Sequence, residues 1–129
     1  QIKKYPFSIC THLILNLPQD KMRDVVETAK IISALHIDIV KLHSLYIAKN
    51  TKLCNQYKNG TIELCSKDEY IERLITFIEY VSPEMVIERL FSRVPEEDAE
   101  FSNWSTSWWK LQDELTQKQA IRFSLWLVF

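Results

Sequence analysis

The 129 residues predict an α/β fold with a largely parallel sheet, and three observations carry that expectation. Short apolar runs alternate with stretches of helical periodicity in the order β-α-β-α-α-β-α. The first helical stretch meets the second apolar run with almost no linker, which makes a β-α-β crossover and therefore parallel strands. The first run is apolar almost throughout, as a strand buried on both faces would be.

Element by element, Ile9 to Leu15 reads as a buried strand closed by the turn Asn16-Leu17-Pro18. Met22, Val25, Val26, Ala29 and Ile32 recur at helical spacing, with Lys21, Arg23, Asp24, Glu27 and Lys30 opposite. Ile37 to His43 is β-branched and alternating, the second strand. Thr51 to Lys58 is a short helix that ends at Asn59-Gly60, where a left-handed residue terminates it. Ser66-Lys67-Asp68-Glu69 has capping-box spacing and opens a helix with Ile71, Leu74, Ile75, Ile78 and Val81 on its apolar face, stopped by Pro83. Met85 to Phe91 is the third strand, Pro95 to Glu100 an acidic loop, and a last helix places Trp104, Trp108, Leu111 and Leu115 on one side.

Composition narrows function. Sixteen basic and seventeen acidic side chains leave a net charge of −1, which is no electrostatic footprint for nucleic acid or an anionic membrane. A single glycine excludes the Gly-rich phosphate cradles. Three cysteines at positions 10, 54 and 65 make neither a C-x-x-C pair nor a disulfide ladder, so a reducing, cytoplasmic setting is expected. The apolar stretch Gln119 to Phe129 falls short of the about 20 residues that span a bilayer, so no membrane partner is expected.

Parallel sheets place ligands at the carboxyl ends of their strands, which directs attention to His12 to Asp20 and to Lys41 to Lys49. Strand alternation puts Cys10, His12 and Ile14 on one face, and Lys41 and His43 likewise share a face. Cys10, His12 and His43 could ligate zinc, but the tight paired spacing of structural sites is absent and a buried cysteine is usually inert, so no metal site is assigned. His36 is explained by favourable contact of an imidazolium with a helix end. Trp104 and Trp108 read as core, and Trp109 as the exposed candidate for stacking a base or a partner. Arg89 and Arg93 suit an anionic substrate, or equally pairing with Glu96-Glu97-Asp98. Two N-x-[ST] matches, at Asn59 and Asn103, are background frequency.

The run His12-Leu13-Ile14-Leu15-Asn16-Leu17-Pro18-Gln19-Asp20 resembles the H-x-I-x-G-L-P-G-E segment of radical S-adenosylmethionine (radical SAM) proteins of the YhcC/YtqA-like branch. Ile37 to Ile47 is similar to that branch's next strand, Asn50-Thr51-Lys52-Leu53 to its following G-T-P-L, and Pro95 to Asp98 with Asn103 to Lys110 to its C-terminal segment. The resemblance covers about residues 5–118. It implies the C-terminal half of a (β/α) partial TIM-like barrel with mostly parallel strands plus a helical C-terminal extension. On that reading, residues 1–83 supply βα units, residues 84–118 the extension of strand, acidic loop and Trp-rich helix, and residues 119–129 an atypical apolar tail.

The resemblance also implies an oxidoreductase that binds a 4Fe–4S cluster and S-adenosylmethionine and cleaves the latter reductively to a 5′-deoxyadenosyl radical. By position, His12, Ile14, Asn16, Leu17, His43, Leu45, Tyr46 and Ile47 would bind the cofactor, and Lys41, Arg89, Arg93 and Trp109 would face substrate. Asn16 and Gln19 stand where the family has glycines, and Asp20 where it has glutamate. The family's three cluster-ligating cysteines, ending in C-x-x-C, would lie in an N-terminal half of the parent chain, so this chain is expected to be catalytically silent alone. Analogy to related radical enzymes implies modification of a tRNA wobble uridine as one substrate option, with a protein substrate as the other. A reading of a different class is a cluster-free remnant acting as an interaction module through its Trp-rich surface and apolar tail.

Overall fold

The computed structural model describes residues 4–128, and the side chains of residues 4–122. Strand β1 (Cys10–Ile14) is followed by helix α1 (Met22–Ala34) and strand β2 (Ile39–His43). Then come β3 (Ile47–Ala48), α2 (Lys52–Lys58), α3 (Lys67–Tyr80), β4 (Val86–Arg89), β5 (Ala99–Phe101) and α4 (Trp108–Val128). β1, β2 and β4 form a parallel sheet in that order, and β3 pairs antiparallel with β5. The expected mixed α/β class with a mostly parallel main sheet is present.

Local chemistry explains the ends. Thr51 and Ser66 cap α2 and α3, each side-chain oxygen accepting from the backbone N–H three residues on, at 3.1 Å. Gly60 has φ 74 and closes α2, with Thr61 N–H donating to the Gln56 carbonyl at 2.9 Å. His36 does for α1 what glycine does for α2: it has φ 55, and Ile37 N–H reaches back to the Ile32 carbonyl at 3.2 Å. It stands at the helix end, as the sequence placed it, and closes α1 through its backbone.

α1 and α3 cover one face of the main sheet. Val25, Ala29 and Ile32 from α1 and Tyr70, Ile71, Leu74 and Phe77 from α3 pack with Val40 and Leu42 of β2. Among the described residues no helix covers the opposite face: Cys10, His12 and Ile14 of β1 are exposed, and Lys41 and His43 of β2 are half-buried. This corrects the expectation that β1 is buried on both sides.

Three further departures concern the C-terminal third. The acidic segment is a 3-10 turn at Glu96–Asp98 that runs directly into β5. Trp104 does not belong to the last helix. Asn103, Trp104 and Ser105 have φ of 48, 52 and 55, a left-handed turn, and α4 begins only at Trp108. Leu111 and Leu115 do enter the core, as the periodicity requires. α4 runs on along α3, tied by Lys67–Glu114, Lys118–Asp68 and Arg122 to Glu72 and Glu79. The helical backbone thus continues through most of the segment expected to be an atypical tail, whose side chains beyond Arg122 lie outside the described residues. Among the described residues no helix is long and apolar enough to cross a membrane.

Candidate functional site

A cavity of about 300 Å³ opens at the carboxyl ends of β1 and β2, where a parallel sheet offers its ligand sites. Its walls are His12 and Ile14 from β1, His43 from β2, the segment Ser44-Leu45-Tyr46 that follows, and Ser92 beyond β4. The parallel register opposes Ile14 to His43 and His12 to Lys41, so alternation delivers these side chains to one face. The His12 and His43 rings stack at 5.1 Å with 12° between planes, and His12 Nδ1 lies 3.0 Å from His43 Nε2. Burial lowers the His43 pKa, and the neighbouring His12, Arg89 and Lys41 lower it further.

A buried polar network fixes the wall. Asn16 is 1% exposed and its Oδ1 accepts from Leu45 N–H at 2.7 Å. Its Nδ2 has no hydrogen-bond partner among the described residues. The Ser44 hydroxyl donates to Asn103 Oδ1 and accepts from Ser92 N–H at 3.0 Å, and the Ser92 hydroxyl donates to the Ser44 carbonyl. Asn103 Nδ2 donates to the Ser92 carbonyl at 2.7 Å. The left-handed turn is therefore the device that delivers Asn103 under the cavity, and strain of that kind is kept where surrounding contacts over-determine it. Trp104, next in the turn, donates from Nε1 to the Cys65 carbonyl at 2.9 Å and packs on Tyr70 and Phe101.

The loop after β1 has its own clamp. Arg73 of α3, 3% exposed, donates to the Leu15 carbonyl at 2.8 Å and the Asp20 carbonyl at 2.9 Å, with Glu69 at 3.0 Å as counter-ion. Within this loop the left-handed residue is Gln19, φ 77, rather than Asn16.

Of the residues singled out from sequence, His12, Ile14, His43, Leu45 and Tyr46 come together at the cavity. Asn16 sits behind it, Leu17 is 45% exposed on the loop, and Ile47 is fully buried. Lys41 pairs with Glu88 at 3.4 Å. Arg93 lies over the Trp108 ring at 3.9 Å, and Trp109 is 53% exposed with Lys110 over its ring. Trp108 is accordingly a surface residue, not core. Among the described residues no ion pair joins Arg89 or Arg93 to Glu96, Glu97 or Asp98. Ser92, Asn103 and Arg73 were not singled out for the site. Apart from Glu69, one helical turn from Arg73, their partners stand 11 to 59 residues away, so no local pattern pointed to them.

A family model, the Radical_SAM C-terminal domain, matches residues 37–120. The chain belongs to the radical SAM family. It is 30% identical over 124 residues to YtqA of Bacillus subtilis, covering 96% of this chain and 38% of that protein. Identity to MJ0486 of Methanocaldococcus jannaschii is 33% over 128 residues, covering 93% of this chain and 40% of that protein. YhcC of Escherichia coli matches at 24% over 82 residues, 64% of this chain and 26% of YhcC. The chain thus spans about two fifths of the length of the first two relatives.

Radical SAM membership implies S-adenosylmethionine and a 4Fe–4S cluster, and the residues present fit the two differently. Cluster iron takes cysteine thiolates. Here Cys10 is exposed on β1, Cys54 buried in α2 and Cys65 half-buried before α3. Among the described residues no three His, Cys, Asp or Glu side chains converge to hold a metal. Burial pushes the Cys65 thiol up, with Arg73 pulling it down and Glu69 adding to the rise. The described residues do not fit the cluster. The cavity does fit a nucleoside: apolar walls from Ile14 and Leu45, the exposed Tyr46 ring, two imidazoles, and the serines of an ordered network.

Proposed function

We propose that this chain supplies part of the S-adenosylmethionine-binding wall of a radical SAM iron–sulfur enzyme. The observation that supports it most is the cavity at the carboxyl ends of β1 and β2. Ile14, Leu45 and Tyr46 would hold the adenosine, with His12 and His43 at its side. Asn16 and Leu17 would shape the loop that it approaches, and Ile47 anchors the end of the wall from within the core. Bound there, S-adenosylmethionine supplies 5′-deoxyadenosyl radical chemistry. The chain's own share is to bind, orient and exclude water, and the main sheet would be one arc of a partial barrel. The free edge of β1 and the uncovered face would take the remaining strands of the parent protein, which would also carry the cluster. Arg93 and Trp109 would form the substrate-facing rim, for a tRNA or protein substrate.

The test is binding of 5′-deoxyadenosine to the 129-residue chain, followed by chemical-shift changes at Tyr46, His43 and Leu45. Saturable changes at these residues, abolished in Ile14→Asp and Tyr46→Ala, support the reading. No saturable change in the wild-type chain overturns it.

A second reading has its own observation. Ile14, Val86, Tyr5 and Phe7 are exposed apolar groups, and among the described residues no strand pairs with the outer edge of β1. A cluster-free interaction module would use this edge and face to bind another chain. Concentration-dependent association that is unaffected by 5′-deoxyadenosine favours this reading.

A further inference from the structure

Parallel sheets carry apolar side chains on both faces because both are covered, and lysine or arginine is rare in such positions. The uncovered face here breaks that rule in an ordered way. Register opposes His12 of β1 to Lys41 of β2, and Lys41 to Arg89 of β4, so three basic residues form one row across all three strands. A register shift between Val40 and Lys41 leaves Glu88 as the extra residue before Arg89, and Glu88 reaches Lys41 at 3.4 Å. His43 stands one position further along the same face, close enough to Arg89 and Lys41 to be acted on by both charges.

Like charges directly opposed across strands are destabilising. Glu88 offsets Lys41 alone, through a 3.4 Å pair whose side chains are 32% and 43% exposed and so well screened. Among the described residues, two cations therefore face one carboxylate, in a chain whose overall net charge is −1. The excess is local to this face. The His12–His43 pair adds hydrogen-bonding capacity: with one proton held between the rings, one outward ring nitrogen donates and the other accepts.

We propose that this basic row is the seat of an anionic group of the substrate, a carboxylate or phosphate, held by Lys41 and Arg89 beside the His12–His43 pair. The proposal deepens the reading of the adjoining cavity as the nucleoside end of the site and rests on it for the word substrate. Guanidinium gives the fork that matches two oxyanion oxygens, and lysine the point charge. Occupation relieves the repulsion along the row, which is the physical reason for keeping these residues opposed.

The experiment titrates inorganic phosphate into the 129-residue chain at constant ionic strength, with chloride as the control, and reads the imidazole resonances of His12 and His43. Saturable shifts are expected, with affinity weakened about tenfold or more in Lys41→Gln and Arg89→Gln and kept within a few-fold in Arg89→Lys. Both glutamine variants should bind 5′-deoxyadenosine as the wild type does, and Tyr46→Ala should lose the nucleoside while keeping phosphate. Absence of saturable phosphate binding, or glutamine variants that bind it undiminished, overturns the anion site. Displacement of phosphate by S-adenosylhomocysteine but not by 5′-deoxyadenosine assigns the site to the cofactor's own carboxylate and overturns the substrate assignment. Loss of nucleoside binding alone, with phosphate binding intact, overturns the cavity reading and leaves the anion site standing. Thermal melts of each variant separate lost binding from lost folding.

Discussion

Gln19 holds a backbone conformation that costs an L-residue about 1–2 kcal/mol, since φ 77 crowds Cβ against the following carbonyl. Glycine there removes the crowding and gives back part of the gain as unfolded-chain entropy. Gln19→Gly is expected to stabilise the chain by about 0.5–1 kcal/mol, read as a higher urea midpoint at unchanged slope. A lower midpoint would show that the Gln19 side chain compensates. His43 gives the second residue-scale prediction. Its folded pKa lies below the ordinary 6.5 through burial first, then the charges of His12, Arg89 and Lys41, with Glu88 the opposing charge on that face. The unfolded chain therefore binds the proton more readily, and this contribution is lost as pH falls from above 6.5 through the folded value, then stays constant. A His43 resonance titrating below 6.5, and moving up in Lys41→Met, is the expected record. Much of this residue-scale picture was legible in sequence: strand alternation alone put His12 with Ile14 and Lys41 with His43. Asn103 was not, because its value lies in Ser44 and Ser92, and an N-x-S triplet carries no trace of partners 59 and 11 residues away.

At the scale of elements, α3 and α4 meet through two kinds of contact that should weigh very differently. Leu111 and Leu115 are 0% and 1% exposed, against the same core as Leu74 and Phe77. Arg122 reaches Glu72 and Glu79 at 3.1 and 2.9 Å, but these side chains are about a third or more exposed. Leu111→Ala is expected to cost about 2–5 kcal/mol and Arg122→Gln less than about 1 kcal/mol, measured by denaturant unfolding. Equal losses would mean that the ion pairs, not the leucines, dock α4. α1 and α3 were readable because a 3.6-residue period over three or more turns is a strong pattern, and α2 through its Asn59-Gly60 end. Trp104 misled for a related reason: it stands four residues before Trp108, as a helix neighbour would, yet the left-handed turn at Asn103–Ser105 intervenes. β3 and β5, of two and three residues, are too short for any period to register. The sheet's open face was hidden too, because sequence shows which residues alternate but not what covers them.

Across the whole molecule, one buried cluster runs from Leu15 and Val25 through Leu42, Tyr70 and Phe77 to Phe91, Leu111 and Leu115. Polar ties cross the same ground: the Tyr70 hydroxyl donates to the Leu90 carbonyl at 3.1 Å, and Trp104 to the Cys65 carbonyl. β4 completes the sheet only by pairing with β2, far earlier in the chain. A boundary between independently stable units needs a place where few contacts cross, and the ties just named cross the chain at Pro83. Unfolding is therefore expected to be a single transition, with far-ultraviolet circular dichroism and tryptophan fluorescence superimposing across a thermal scan. Removing residues 107–129 takes Leu111 and Leu115 out of the shared core and should abolish the cooperative melt altogether, rather than leave the β1–β4 portion melting unchanged. Fluorescence that moves first, ahead of the circular dichroism, would instead mean that the strained turn at Asn103–Ser105 and the helix after it are a separable unit. The cavity wall would then survive loss of Asn103 only if Ser44 and Ser92 hold it alone.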